Sequence, residues 1–217
     1  MSCSEWKLYV ILDRSTMGER GLAEIACAAI RGGADVLQLR AKSAPARALM
    51  DDAARLLRLT RRAGVPLIIN DRADVARAVG ADGVHVGQDD VPVSDARSLL
   101  GPRAIIGKST HSLEQALAAQ AEGADYIGFG PIFPTPTKPE YGSVGLALIG
   151  EVRRRVRIPV VCIGGIDAAH LGEVLQAGAE RVAVVRAICS ATDPESAARI
   201  LKEAIVQFAH TTSSTKL

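Results

Sequence analysis

Two acids, Asp71 and Asp90, stand out in the run from Asn70 to Asp90, which includes Asn70-Asp71-Arg72 and Gly83-Val84-His85-Val86-Gly87-Gln88-Asp89-Asp90. Asp71 follows the apolar run Leu67-Ile68-Ile69, and Asp90 follows Gly83–Val86. If those runs are neighbouring parallel strands, both carboxylates reach one rim, no more than roughly two strand spacings of ~4.8 Å apart. Hard oxygen donors with cations nearby suit a magnesium ion shared with phosphate groups. Taken singly, either acid reads better as a surface carboxylate, one of them capping a helix.

The cations come from Gln38-Leu39-Arg40-Ala41-Lys42. Residues two apart share a strand face, so Gln38, Arg40 and Lys42 point one way. A glutamine inside an apolar strand needs a hydrogen-bond partner, which a ligand would supply. Arg40 offers a planar fork and Lys42 a point charge, a pair suited to a pyrophosphate. The competing reading is an ion pair from Arg40 to a core acid, with Lys42 in solvent.

Further along, Ser112 and Gln115 form a capping box for a helix beginning at Leu113, which leaves Ser109 for a ligand. His111 offers acid–base chemistry, whereas His85, inside a strand, reads as a core residue with its hydrogen bonds satisfied. The connection from Gly130 to Val144 lacks helical or strand period and is long for its type. Its prolines stiffen it, and Thr135, Thr137 and Lys138 can grip an anion. Gly164-Gly165 lets backbone N–H groups approach an anion. Val185-Arg186-Ala187-Ile188 opens a short helix before the one that Asp193-Pro194 caps.

These residues act together only on a scaffold that gathers them. Short β-branched runs at Leu8–Leu12, Val36–Leu39, Leu67–Asn70, Gly83–Val86, Ile105–Lys108, Tyr126–Phe129, Val160–Ile163 and Val182–Val185 read as strands. Helical patterns at Ala44–Ala63, Leu113–Glu122, Leu146–Arg155 and Pro194–Phe208 are among those between and after them. One junction recurs: Gly33-Ala34-Asp35, Gly80-Ala81-Asp82, Gly123-Ala124-Asp125 and Gly178-Ala179-Glu180 each end a helix and precede a strand. Glycine there supplies the left-handed cap and the acid starts the turn. The pattern predicts a single α/β domain, a (β/α)8 TIM barrel, in preference to an open doubly wound sheet. Its site then lies at the C-terminal strand ends, with a phosphate held after strands seven and eight. One anion site combines Arg40, Lys42, Asp71 and Asp90; a second combines Thr135, Thr137, Gly165 and the Val185–Ala187 turn, and Lys138 can serve either.

Composition narrows the function classes. With 48% apolar residues the chain can bury one core, and a net charge of +2 with 3% aromatics argues against nucleic acid and anionic membranes. Its cysteines, Cys3, Cys27, Cys162 and Cys189, show no paired spacing, which predicts free thiols and a cytoplasmic setting. No signal peptide or membrane span is expected, and the polar tail 210–217 is expected to fray. The sequence leaves oligomeric state open and is compatible with a homo-oligomer.

Gln38-Leu39-Arg40-x-Lys42, Ile69-Asn70-Asp71-Arg72, the run Ala81 to Asp90, Gly130-Pro131-Ile132-Phe133-Pro134-Thr135-x-Thr137-Lys138 and Ile163-Gly164-Gly165-Ile166 occur in the order in which they resemble the thiamine-phosphate synthase family. The resemblance runs from about Tyr9 to Ile188. It implies a transferase that joins a hydroxymethylpyrimidine diphosphate to a hydroxyethylthiazole phosphate and releases diphosphate. By the same resemblance Gln38, Arg40, Lys42, Asn70 and Lys138 would hold the pyrimidine diphosphate, Asp71 and Asp90 would ligate Mg2+, and Ser109 would contact the pyrimidine. Thr135, Thr137, Gly165, Val185 and Arg186 would surround the thiazole phosphate, Arg186 either through its backbone or by adding its charge. Arg40, Lys42, Lys138 and Ser109 would carry the catalysis. Two rivals remain: a thiazole tautomerase-like homologue using His111, and a non-catalytic sensor of phosphate ligands.

Overall fold

The structure, a computed structural model, describes residues 2–135 and 142–214; Thr137 and Lys138 lie outside them. Its strands are β1 (Leu8–Asp13), β2 (Val36–Arg40), β3 (Leu67–Asn70), β4 (Gly83–Val86), β5 (Ile105–Thr110), β6 (Tyr126–Phe129), β7 (Val160–Ile163) and β8 (Val182–Val184). All pairings are parallel and follow chain order, with β8 closing onto β1. Between them run α1 (Leu22–Arg31), α2 (Ala46–Ala63), α3 (Ala73–Val79), α4 (Val93–Leu100), α5 (Leu113–Ala121), α6 (Ala147–Arg155) and α7 (Leu171–Gln176); α8 (Arg186–Cys189) and α9 (Pro194–Ser214) follow β8. This is a single-domain (β/α)8 barrel.

The recurring junction explains much of the regularity. Gly33, Gly80, Gly123 and Gly178 all have positive φ, from 66° to 109°, where a side chain would be strained. The acid two residues later does more than start a turn. Asp35 Oδ2 accepts the N–H groups of Lys7 and Leu8 (2.7 and 2.9 Å), Asp82 that of Leu67 (2.8 Å) and Asp125 that of Ile106 (2.7 Å). Each carboxylate thus ties the start of one strand to the start of the next, at the mouth opposite the loops that follow the strands. Glu180, one methylene longer, departs from this pattern and pairs with Arg153 and Arg181.

Two apolar layers hold the barrel. The larger fills the space between strands and helices, with Leu8, Leu37, Leu67, Val84, Ile106, Ile127, Cys162 and Val182 on the outward strand faces. The smaller, inside the barrel, contains Tyr9, Ile11, Val36, Ile68, Tyr126, Val161 and Ala183, with Trp6 packed edge-on against Tyr9 and Tyr126. Trp6 is 1% exposed and plugs the closed end.

Some boundaries move from expectation. β1, β2 and β5 reach Asp13, Arg40 and Thr110, because polar residues at their C-terminal ends still make ladder pairs. Val185 leaves β8 and becomes the cap residue of α8. Of the polar tail 210–217 expected to fray, the residues to Ser214 belong to α9, and 215–217 lie outside the described residues. Among the described residues, no helix is long and apolar enough to cross a membrane.

Candidate active site

A cavity of about 370 Å³ opens at the C-terminal mouth of the barrel. Of the residues singled out from sequence, Gln38, Arg40, Asn70, Ser109, Thr135, Gly165, Val185 and Arg186 line it. Arg40 of the first grouping read from sequence, and Thr135, Gly165 and the Val185–Ala187 turn of the second, therefore border one continuous chamber. Lys42, Asp71 and Asp90 are not in its wall; they sit just past the ends of β2, β3 and β4, with Lys42 exposed.

Arg40 makes the ion pair to a core acid that its competing reading expected. Its Nη1 pairs with Asp13 at the end of β1, and the side chain still faces the chamber. Asp13 in turn accepts from the N–H and hydroxyl of Ser15 (3.0 and 2.7 Å). The acid so held fixes the guanidinium, leaving its remaining donors for a ligand. With 9% exposure, Arg40 is largely withdrawn from water, so its charge acts at lower effective dielectric.

The β3 end is unusual. Asp71 has φ 62°, and among the described residues it is the only non-glycine residue with positive φ. A non-glycine residue there costs about 1–3 kcal/mol, with aspartate near the low end. Its N–H bonds to His85 O at 2.8 Å, joining the β3 and β4 ends. Beyond β4, Asp90 Oδ2 accepts the Gly87 N–H (2.7 Å), while Lys108 Nζ donates to Gly87 O (2.9 Å). Asp71 and Asp90 thus leave neighbouring strand ends on short, hydrogen-bonded turns.

Three local expectations change. Gln38 donates to Tyr9 Oη (2.8 Å), so it needs no ligand to satisfy that donor. Ser109 is engaged by His85 Nε2 at 2.9 Å, so it is not left over for a ligand alone. Ser112 does cap α5, accepting the Gln115 N–H at 3.1 Å, but the Gln115 side chain returns to the His111 N–H at 2.7 Å and not to Ser112. His111 lines the chamber, with Nδ1 2.5 Å from Gly130 O.

The glycine pair after β7 serves packing and also borders the chamber. Gly164 and Gly165 have φ 102° and 67°. A Cβ on Gly164 would lie 2.4 Å from Pro131 Cβ, and one on Gly165 would lie 2.7 Å from Phe133 Cβ. The bare backbone lets the connection after β6 dock on β7, where Ile132 N–H bonds to Ile163 O (2.8 Å) and Phe133 N–H to Gly164 O (3.0 Å). This docking carries Thr135 to the chamber wall.

A family model described as thiamine monophosphate synthase matches residues 8–188. The chain is 50% identical over 201 residues to the thiamine-phosphate synthase of Roseiflexus castenholzii, covering 92% of this chain and 88% of that one. Against the thiamine-phosphate synthase of Methanocella arvoryzae it is 49% identical over 207 residues, covering 94% and 97%. Among solved structures, thiamine phosphate pyrophosphorylase from Pyrococcus furiosus matches with a TM-score of 0.87 at 39% identity, over 95% of this chain and 98% of that one. The chain belongs to the thiamine monophosphate synthase family. It is a transferase of that family.

Within this family member, sequence reasoning passed over Asp13, Tyr9, Tyr126 and Asp167. Tyr9 and Tyr126 lie in strands and look like core, and their hydroxyls meet only because the barrel closes. Asp167 lines the chamber, yet its Oδ1 is taken by the N–H groups of Ala169 and His170 and by His170 Nδ1 (2.8 Å). Desolvation would raise its pKa, but these bonds more than offset that and hold the carboxyl below its ordinary range.

Proposed function

We propose that the protein couples 4-amino-5-hydroxymethyl-2-methylpyrimidine diphosphate with 4-methyl-5-(2-hydroxyethyl)thiazole phosphate, giving thiamine phosphate and diphosphate. The observation that carries this reading is the single chamber, which joins the Arg40–Asn70 side to the Gly165–Arg186 side and so admits two anionic substrates together. Its volume falls within the ordinary range for small-molecule sites.

The diphosphate binds toward Arg40, with Lys42 adding charge from the rim; Lys138, outside the described residues, is assigned to it by the family resemblance. Gln38 and Ser109 orient the pyrimidine ring. The thiazole phosphate lies against Thr135, Gly165 and the Val185–Arg186 turn; Thr137, outside the described residues, is assigned to it by the family resemblance. The carbon–oxygen bond to the leaving diphosphate breaks first, the bonding pair leaving with oxygen; the pyrimidine-stabilised cation is then captured by the thiazole nitrogen. That route needs no protein nucleophile. It needs fixed positive charge where negative charge develops, in a chamber that excludes water.

Asp71 and Asp90 fit a hard divalent cation, Mg2+. They supply carboxylate oxygens from adjacent strand ends, and Asp71 is held there at a backbone cost. Two carboxylates leave the remaining positions of such an ion to substrate oxygens and water. When bound, the ion neutralises charge on the leaving diphosphate. The four free cysteines agree with a cytoplasmic setting.

Mixing both substrates with magnesium and the purified chain should yield thiamine phosphate by mass spectrometry and diphosphate in equal amount. Thiazole isomerisation without coupling would support the tautomerase reading. Binding without turnover would support the sensor. Either outcome would overturn this assignment.

A further inference from the structure

Five side chains connect two walls of the chamber through an unbroken series of hydrogen bonds. Gln38 Nε2 donates to Tyr9 Oη at 2.8 Å, and Tyr9 Oη lies 2.9 Å from Tyr126 Oη. Tyr126 Oη is 3.0 Å from His85 Nδ1, and His85 Nε2 is 2.9 Å from Ser109 Oγ. All five residues line the chamber, although both phenol rings are buried. The fold makes room for the series. A Cβ on Gly107 would stand 2.2 Å from Tyr126 Cζ and 2.5 Å from His85 Nδ1.

A phenol carries one proton, and so does a neutral imidazole. Each link therefore holds one proton and all links point the same way. Burial pushes both phenols well above their ordinary pKa, which keeps those protons in place. Two arrangements satisfy every link. In the first, Gln38 donates to Tyr9, Tyr9 to Tyr126, Tyr126 to His85 Nδ1 and His85 Nε2–H to Ser109; the amide oxygen and second N–H of Gln38, and the hydroxyl proton and one lone pair of Ser109, are then left over. In the second, every bond is reversed. The Gln38 amide turns over and offers N–H, Ser109 offers only lone pairs, and no proton is gained or lost.

We infer that this series is a polarity coupler: when the Gln38 amide donates into it, Ser109 keeps its hydroxyl proton for the chamber, and when the amide accepts, that proton is committed to His85; Tyr9, Tyr126 and His85 are the positioning residues that enforce this. The first arrangement is matched by a ring that offers a donor to the Gln38 carbonyl and an acceptor to the Ser109 hydroxyl. An aminopyrimidine does so with its exocyclic amine and ring nitrogens. A ring with acceptors alone leaves one end unmatched and loses about tenfold or more in affinity. The ligand class rests on the proposed function, whereas the coupling itself does not.

The test uses the ligand-free full chain and histidine 15N spectra at about pH 8, above the reference values of carboxyl and imidazole groups. The His85 signals are assigned by their loss in His85→Gln. In the unsubstituted protein the proton sits on Nε2. Gln38→Glu puts an acceptor-only carboxylate at the head of the series, so every link reverses and the His85 proton moves to Nδ1. Adding Tyr126→Phe, which keeps the ring and removes one hydroxyl, interrupts the series; His85 then shows the same tautomer with Gln or Glu at position 38. An unchanged tautomer in Gln38→Glu, or a change that survives Tyr126→Phe, overturns the coupling. A second readout is the affinity for 4-amino-5-hydroxymethyl-2-methylpyrimidine against its analogue lacking the amine. The preference of about tenfold or more should fall to about threefold or less in Tyr126→Phe, because Ser109 can then adapt independently; an undiminished preference counts against the coupler. A chain that makes no thiamine phosphate yet switches His85 refutes the substrates alone. One that turns over normally with an unresponsive His85 refutes the coupler alone.

Discussion

At the scale of the residue, Asp71 shows how charge and backbone conformation combine. Its left-handed φ is one that asparagine tolerates as readily as aspartate, whereas alanine pays a steric penalty there. Asp71→Asn therefore removes the charge while sparing the fold. Turnover should fall by about a hundredfold or more, as when one element of transition-state charge stabilisation is lost, while the urea midpoint stays close to that of the unsubstituted chain. Loss of stability without selective loss of turnover would reassign Asp71 to a purely structural role. Arg40 differs because it already has a partner. Arg40→Lys keeps the charge but gives up the planar fork that bonds Asp13 while facing the chamber. Its KM for the pyrimidine diphosphate should rise about tenfold or more, and an unchanged KM would show that the fork is not used.

Among the elements, the connections after β6 and β7 behave as one unit, because Gly164 and Gly165 let the first lie on the second. Gly164→Ala would bring its methyl group against Pro131, 2.4 Å from Cβ and 2.5 Å from Cα, at a φ unsuited to alanine. The variant should lose about 1–3 kcal/mol of stability in denaturant titrations, with a larger proportional loss of thiazole phosphate binding than of pyrimidine binding. Equal losses would mean that the two connections move independently. The sequence marked the glycine pair as a place of close backbone approach, but that Pro131 and Phe133 make the approach was not legible, since it depends on how the loops cross. The Gly-Ala-Asp junctions were legible because they recur with local spacing, and they reveal the barrel before any contact is known. The coupling of Tyr9 to Tyr126 was hidden, because 117 positions separate two phenols that read as ordinary core residues. Gln38 announced the need for a partner without naming it.

For the whole molecule, the outward strand faces are sealed by helices, and this burial has a consequence for alkaline stability. Cys162 on β7 is fully buried, and desolvation pushes its thiol from 9.0 up to about 12. Above pH 9 the unfolded chain releases this proton while the folded chain keeps it, so the folded state binds more protons and loses stability as pH rises. Over the one pH unit from 9 to 10, in which the unfolded thiol goes from half to almost fully deprotonated, the loss attributable to Cys162 is about 1 kcal/mol. Denaturant titrations at pH 8 and pH 10 should show a smaller alkaline loss in Cys162→Ala than in the unsubstituted chain. An equal loss would place the effect elsewhere.

The barrel also brings Arg40, Asp71 and Asp90, widely spaced along the chain, to the rim of one mouth. Anomalous diffraction from crystals soaked with manganese and the pyrimidine diphosphate tests that arrangement most directly. The metal peak should lie against Asp71 and Asp90, with diphosphate density reaching Arg40 in the same chamber. A peak away from both carboxylates, or a diphosphate bound apart from Arg40, would contradict the account.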